Sequence, residues 1–143
     1  LLKVVNKLND DGKFIILDES FIDFADDGFE ASFLNRDDLK NFPNLIVIKS
    51  IGKSYGVGGL RIGVLASSNE SLIQFVKKDL PVWNINSVGE FFLQIIGKYK
   101  SEYREACLKL IEARKYLFSQ LSIIPFLEQN SNCLVKSIFC LLS

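Results

Sequence analysis

Histidine and methionine are absent from this chain, tryptophan occurs once, and proline and cysteine occur three times each in 143 residues. Without an imidazole there is no Ser-His-Asp or Cys-His activation of a nucleophile, no histidine-ligated zinc and no histidine acid-base chemistry. Any catalysis must run on lysine, carboxylates, tyrosine, cysteine or a cofactor. Cys107, Cys133 and Cys140 are odd in number and lack Cys-x-x-Cys spacing, so neither a disulfide framework nor a zinc knuckle is signalled, and a reducing, cytoplasmic setting is expected. An excess of either charge is lacking too. With 17 basic residues against 17 acidic ones, neither nucleic-acid phosphates nor an anionic membrane is an expected partner. No apolar run reaches the roughly 18 to 20 residues that span a bilayer, and no signal peptide opens the chain, which predicts a soluble protein.

What is present is a globular composition, 48% hydrophobic and 24% charged. A chain of this size can bury roughly two-thirds of its unfolded surface. Leu1, Leu2, Val4, Val5 and Leu8 already form one apolar helical face with no capping residue ahead of it, so the chain is expected to be part of something longer. Asp10-Asp11-Gly12 is a turn signal before Phe14-Ile15-Ile16-Leu17, a continuous apolar run that reads as a strand buried on both faces and ends at Asp18. Six carboxylates follow without a basic residue, Asp18, Glu19, Asp23, Asp26, Asp27 and Glu30, and the later ones with Gly28 read as a solvated loop.

A short helix over 36–42 is stopped by Pro43, and Leu45 to Ile48 and Ile62 to Ala66 read as second and third strands. The twelve residues between these strands carry glycines at 52, 56, 58 and 59, too many for a crossover helix, so the third strand is expected antiparallel to the second. Asn69 is placed to cap a helix to about Asp79, and 81–86 reads as a loop. Ser87 with Glu90 forms a capping box for the next helix. Tyr103, Cys107, Leu110, Ile111, Leu117, Phe118 and Leu121 recur at helical spacing over 98–121, and Cys133-Leu134-Val135 reads as a last strand.

The stretch Ser50 to Gly63, with a lysine and an arginine on a glycine loop at a strand end, carries the chemistry. Gly52-Lys53-Ser54 imitates the end of a P-loop, but Val47 stands where that motif requires its first glycine. Gly56, Gly58 and Gly59 imitate a dinucleotide fingerprint, but Arg61 stands at its last glycine position. A pyridoxal-phosphate site needs a lysine amine to form an imine, a carboxylate to keep the pyridine nitrogen protonated, and cationic or hydroxyl donors for the phosphate. Lys53, Asp18, and Ser50 with Arg61 supply those groups. Taken singly, Asp18 is an ordinary strand-end carboxylate and Lys53 an ordinary surface lysine; it is their combination with Arg61 that signals a site. Tyr55 reads equally as a pocket residue or as packing, Trp83 as packing, and Asn84 and Asn86 as loop-turn residues.

In Ser50 to Gly63, and in Asp18-Glu19-Ser20-Phe21 ahead of it, the chain resembles the fold-type I pyridoxal-phosphate enzymes of the class I/II aminotransferase group, especially histidinol-phosphate aminotransferases and threonine-phosphate decarboxylases. Trp83-Asn84-Ile85-Asn86-Ser87 also looks like the segment before that family's interdomain helix, so the resemblance covers nearly the whole chain. It implies an α/β fold. Residues 1–97 would be the later part of the cofactor-binding large domain, with a mostly parallel sheet and helices, and residues 98–143 the interdomain helix and the start of a small α+β domain.

By the same resemblance Lys53 forms the internal aldimine with pyridoxal 5′-phosphate, Asp18 pairs with the pyridinium nitrogen, Ser50 and Arg61 bind the phosphate, and Phe21 borders the cofactor. Phe21 stands where many relatives place a tyrosine whose hydroxyl meets the ring oxygen, and Gly52 stands where many place a serine or threonine as a further phosphate ligand. Phe21-Ile22-Asp23-Phe24 resembles the decarboxylase branch. The family's glycine-rich phosphate loop, ring-stacking aromatic and Asn-Pro-x-Gly segment are expected before residue 1, and its carboxylate-gripping arginine after residue 143. The implied function is amino-group transfer from an amino acid or amino-acid phosphate to a 2-oxo acid, by a homodimer at full length. Decarboxylation of the threonine-phosphate type, or a non-catalytic fragment of such an enzyme, are the alternatives.

Overall fold

The computed structural model describes residues 2–26, 28–34 and 36–124, which divide between two compact units, Leu1–Tyr99 and Lys100–Ser143. The first unit opens with helix α1 (Leu2–Asp10), strand β1 (Ile15–Asp18), a 3₁₀ turn at Ile22–Phe24, and the short helices α2 (Gly28–Ala31) and α3 (Arg36–Asn41). It continues with β2 (Leu45–Ser50), the single helical turn α4 (Ile51–Ser54), a 3₁₀ turn at Gly58–Leu60, and β3 (Gly63–Ala66). Helices α5 (Glu70–Lys78) and α6 (Ser87–Ile95) and a 3₁₀ turn at Ile96–Tyr99 complete it. The described part of the second unit is the long helix α7 (Lys100–Ser122) and the two residues after it. No helix among the described residues is long and apolar enough to cross a membrane.

Strand β2 is central. It runs parallel to β1, from Ile15 opposite Leu45 to Asp18 opposite Ile48, and antiparallel to β3, from Val47 opposite Ala66 to Ser50 opposite Gly63. The antiparallel return expected from the glycine-rich connection is therefore present, and this part of the sheet contains one parallel and one antiparallel pair. The pairing has a positional consequence. The carboxyl ends of β1 and β2 and the amino end of β3 lie at the same end of the sheet.

One face of the sheet is closed by Val5 of α1 and by Phe33 and Phe42, which bury Leu45 and Val47 completely; Ile15, Leu17, Leu34 and Leu39 pack around them. Phe33 and Phe42 meet edge-on, with ring centroids 5.8 Å apart. Strand β1 is not buried on both faces as its apolar run predicts. Phe14 and Ile16 are 66% and 69% exposed, because nothing among the described residues covers the face of β1 opposite this core. Continuous hydrophobicity signals a strand meant for two covered faces, and only one of the covers lies among the described residues.

The acidic stretch after β1 is divided by burial: the later Asp26 and Glu30 are exposed, as expected. Glu19 and Asp23 are buried. Glu19 accepts the Phe33 N–H at 2.7 Å and the Ser32 hydroxyl at 2.6 Å, pinning the turn after α2 to the end of β1. Asp23 pairs with Lys49 of β2 at 2.7 Å, both side chains being largely removed from solvent. These two carboxylates can be buried because the cation and the amide donors that satisfy them arrive from elsewhere in the fold.

Asn69 caps α5 as expected, its side chain accepting the Leu72 N–H at 3.0 Å. The cap of α6 is Asn86, one residue earlier than expected, with Ser87 the first residue inside the helix. Asparagine and serine are equally good N-caps, so sequence could not rank the two. Cys133-Leu134-Val135 and the closing residues 137–143 lie outside the described residues.

The buried Glu19 generates a test of this architecture. Glu19→Ala strips the acceptor from the Phe33 amide and should destabilise the protein by about 1–3 kcal/mol in urea denaturation, while Glu19→Gln, which keeps a carbonyl for that amide, should lose clearly less. Equal losses would mean that bulk, not the hydrogen bond, is what position 19 supplies.

Candidate active site

The shared end of the three strands is laced by serine hydroxyls. Asp18, the last residue of β1, accepts two hydrogen bonds on Oδ1, from the Ser20 N–H at 2.9 Å and the Ser20 hydroxyl at 2.5 Å. The Ser20 hydroxyl oxygen in turn accepts the Ser50 N–H at 2.9 Å, which ties the end of β1 to the end of β2. The buried Ser54 hydroxyl lies 3.0 Å from the Ser20 carbonyl and 3.1 Å from the Ser50 carbonyl, and its single proton is shared between them. Asp18 is thus held in one orientation. The Ser20 hydroxyl above all, then the Ser20 amide, keep its carboxyl below the ordinary 3.8 against an opposing effect of burial, and the charge of Lys53 adds the smallest contribution.

Helix α4 begins where β2 ends. Ser50 is its N-cap, its hydroxyl facing the Lys53 N–H at 3.4 Å, and the Ile62 carbonyl accepts the Ile51 and Gly52 N–H groups at 3.1 and 3.3 Å. This single turn lifts Lys53 off the sheet. Its side chain is exposed, and Nζ stands 5.3 Å from the centre of the Phe21 ring, a cation–π contact worth about 0.5–1 kcal/mol at an exposed site. Gly52 sits at a close approach of backbone to backbone. A Cβ there would lie 3.2 Å from Gly58 Cα and 3.4 Å from the Val57 carbonyl oxygen, so a serine or threonine at this position needs the glycine loop to open by a few tenths of an ångström. Tyr55 packs edge-on against Phe92 of α6, the ring centroids being 5.9 Å apart.

Arg61 closes the loop in the left-handed region, with φ 55° and ψ 46°, and among the described residues no other non-glycine residue has a positive φ. An L-residue is disfavoured there by roughly 1–2 kcal/mol, so the fold holds Arg61 in a conformation its own chemistry resists. The guanidinium is exposed, with Nη1 3.5 Å from the Gly58 carbonyl, at the limit of a hydrogen bond.

Asp18, Ser50, Lys53 and Arg61 line one open cavity of about 500 Å³ at the sheet end, together with Ser20 and Gly52. Phe21 is not among the lining residues and meets this group through Lys53. Trp83 and Asn84 are exposed on the loop before α6, outside the cavity wall. Sequence reasoning missed Ser20 and Ser54. Ser20 had a readable signal, since Asp-x-Ser at a strand end is the spacing of an Asx turn; Ser54 had none, because one of its acceptors, the Ser20 carbonyl in the turn after β1, is brought to it only by folding. Chemically, the cavity offers an amine and a carboxylate held as its anion, with a guanidinium and a hydroxyl able to grip a phosphate.

The hydrogen bonds to Asp18 set a pH signature. Because its folded-state value lies below the unfolded one, Asp18 contributes stability that is complete above about pH 3.8 and is lost as the pH falls below that point. Ser20→Ala should move the Asp18 carboxyl upward towards 3.8 and shrink this contribution, as read by ¹³C-carboxyl NMR titration. An unmoved titration would show that the hydroxyl does not hold this carboxylate.

Comparison with known proteins agrees in sequence and in fold. The family model for aminotransferase class I and II matches residues 1–140. The chain is 31% identical over 128 residues to histidinol-phosphate aminotransferase of Clostridium novyi, covering 90% of this chain and 33% of that protein. It is 36% identical over 113 residues to L-serine phosphate decarboxylase of Campylobacter jejuni, covering 77% of this chain and 29% of that protein. The crystal structure of the histidinol-phosphate aminotransferase from Clostridium acetobutylicum matches with a TM-score of 0.67 at 26% identity, over 84% of this chain and 35% of that one. The chain thus spans about a third of the length of these relatives, which include both an aminotransferase and a decarboxylase. With a family match over nearly its whole length and the α/β fold to go with it, the chain belongs to the class I and II aminotransferases, a family that uses pyridoxal 5′-phosphate.

Proposed function

We propose that the protein is a pyridoxal-phosphate-dependent aminotransferase and that this chain supplies the lysine side of its cofactor site. The observation that carries the reading is the meeting of Asp18, Ser50, Lys53 and Arg61 on one cavity. The donor set fits the cofactor. A cavity of about 500 Å³ has room for a substituted pyridine ring with its phosphate, and cation, hydroxyl and carboxylate are all available on its wall.

In this reading Lys53 provides the amine that holds the cofactor covalently and later moves a proton at the substrate's α-carbon. Asp18, kept anionic by Ser20, faces the ring nitrogen and keeps it protonated. Ser50 and Arg61 grip the phosphate, and Phe21 gives Lys53 an apolar neighbour. When bound, pyridoxal phosphate supplies an electron sink for charge developing at the α-carbon. Residues 1–97 act as the later part of the cofactor domain, and 98–143 as the interdomain helix and the beginning of a small domain. The substrates are an amino acid or amino-acid phosphate and a 2-oxo acid, and the working protein is a cytoplasmic homodimer.

The decarboxylase reading stands second. It is favoured by the 36% identity to a phosphoserine decarboxylase and by Phe21, which carries no hydroxyl for the ring oxygen.

Borohydride reduction of the full-length protein after incubation with pyridoxal phosphate, followed by peptide mapping, should place the pyridoxyl label on Lys53; a label on another lysine, or none, refutes the assignment. Arg61→Lys should raise the cofactor Kd by about tenfold or more, and Ser50→Ala by less, since lysine cannot reproduce the two-pronged guanidinium contact, whose charged hydrogen bonds are worth about 1.5–3 kcal/mol each.

The reaction itself is read by following amino transfer to a 2-oxo acid and carbon dioxide release in parallel, with plain and phosphorylated amino acids as donors. Amino transfer is the expected outcome. Carbon dioxide release from a phosphorylated amino acid without amino transfer would promote the decarboxylase.

A further inference from the structure

We infer that Asn86, which lies outside the cavity, is the positioning residue that keeps Arg61 in its left-handed conformation and so aims the guanidinium at the ligand's phosphate. The inference rests on the phosphate-binding role of Arg61 proposed above. The two ends of the Asn86 amide serve different elements. Oδ1 accepts the Gly89 N–H at 2.8 Å and caps α6, whereas Nδ2 donates to the Leu60 carbonyl at 2.7 Å, 26 residues earlier in the chain.

That carbonyl belongs to the peptide group entering Arg61, so its direction is coupled to the φ of Arg61 itself. The far side of Arg61 is held by the same helix. Ile62 is buried, and its side chain lies so close to α6 that a Cβ on Gly89 would stand 3.0 Å from Ile62 Cδ1. The Ile62 carbonyl is engaged in turn by the first two N–H groups of α4. Helix α6 therefore fixes residue 60 by a hydrogen bond and residue 62 by packing, and Arg61 is the strained residue between them. A left-handed arginine persists only where its surroundings over-determine it, and the Asn86–Leu60 bond is the polar half of that constraint. Without it the peptide group can rotate, Arg61 relaxes towards the right-handed region, and its guanidinium leaves the cavity. Asn86 does not line the cavity, so its effect must pass through Arg61.

Asn86→Ser tests this, because serine retains a neutral capping oxygen for α6 but has no amide nitrogen to reach Leu60. Dissociation constants for pyridoxal phosphate and for pyridoxal, which lacks the phosphate, are measured by absorbance titration in the full-length protein. The proteins compared are wild type, Asn86→Ser, Arg61→Ala and the double variant. In Asn86→Ser the Kd for pyridoxal phosphate should rise about tenfold, with that for pyridoxal moving less than about twofold and the melting temperature close to wild type. In the Arg61→Ala background the serine substitution should add nothing.

Equal losses for both ligands, or the same loss with Arg61 already removed, would overturn the inference in favour of a plain helix cap. Asn86→Asp, another good cap, carries the same comparison if the serine variant fails to fold. A wild type that binds pyridoxal as tightly as pyridoxal phosphate would instead refute the phosphate role of Arg61 itself, a failure visible before any variant is made.

Discussion

The register of the central strand decides which side chains can share a cavity. With Asp18 opposite Ile48 on the parallel side and Ser50 opposite Gly63 on the antiparallel side, two strand ends and one strand start are brought to one level. A slip of one residue on either side would turn the side chains of that strand to the other face, and the hydrophobic cost of exposing Leu45 and Val47 forbids it for β2. The reason Asp18, Lys53 and Arg61 meet is therefore found in the core rather than in the site: fully buried Leu45 and Val47, held by Val5, Phe33 and Phe42, fix the strand from which α4 and the glycine loop are hung. The Ser20 hydroxyl then converts proximity into fixed geometry, since it donates to Asp18 and accepts from Ser50.

The charges at this end of the sheet are sorted by burial. Lys49 contributes to the cavity wall, but its ammonium is turned to Asp23 in a pair largely withdrawn from solvent. Removing either partner would leave a charge stranded in a poorly hydrated position, so the pair stays closed and Lys49 is withheld as a ligand. Lys53 and Arg61 are exposed and offer their charges to the cavity. Asp18, the carboxylate beside them on the cavity wall, is stabilised as an anion by hydrogen bonds from Ser20 more than by the neighbouring ammonium. Its ionisation therefore survives a change in the state of Lys53. That independence matters for a group whose proposed partner carries a proton throughout the proposed reaction.

How much of this was legible in the sequence follows from where each cause lies. The strand ending at Asp18, the glycine connection and the antiparallel return are local consequences of apolar runs and of residues that resist helix, and all three are in place. The combination of lysine, arginine and carboxylate was legible because the chemistry demands those residue types, and the family match over residues 1–140 accords with the resemblance read from them. The burial of Glu19 and Asp23 was not legible because their partners, Phe33, Ser32 and Lys49, are brought to them only by folding. The strain at Arg61 was invisible for a related reason. Sequence marks where glycine makes a positive φ easy, and here the fold imposes one on an arginine through Asn86 and Ile62.

Transamination and decarboxylation differ in which bond to the substrate's α-carbon is set perpendicular to the cofactor ring, and therefore in how the substrate carboxylate is held. In the proposed site Arg61 is committed to a phosphate, Lys53 to the carbonyl carbon of the cofactor, and Lys49 to Asp23. Among the described residues lining the cavity, no further basic side chain is left to grip a carboxylate. Groups outside this cavity wall must then orient the substrate and choose the bond that breaks. Both an aminotransferase and a phosphoserine decarboxylase align with the same stretch of chain, which is the pattern expected if this part of the protein holds the cofactor and leaves the choice of reaction to another part. The strain at Arg61 fits that division, because a rigid grip on the phosphate lets the ring keep one attitude while different substrates are presented to it.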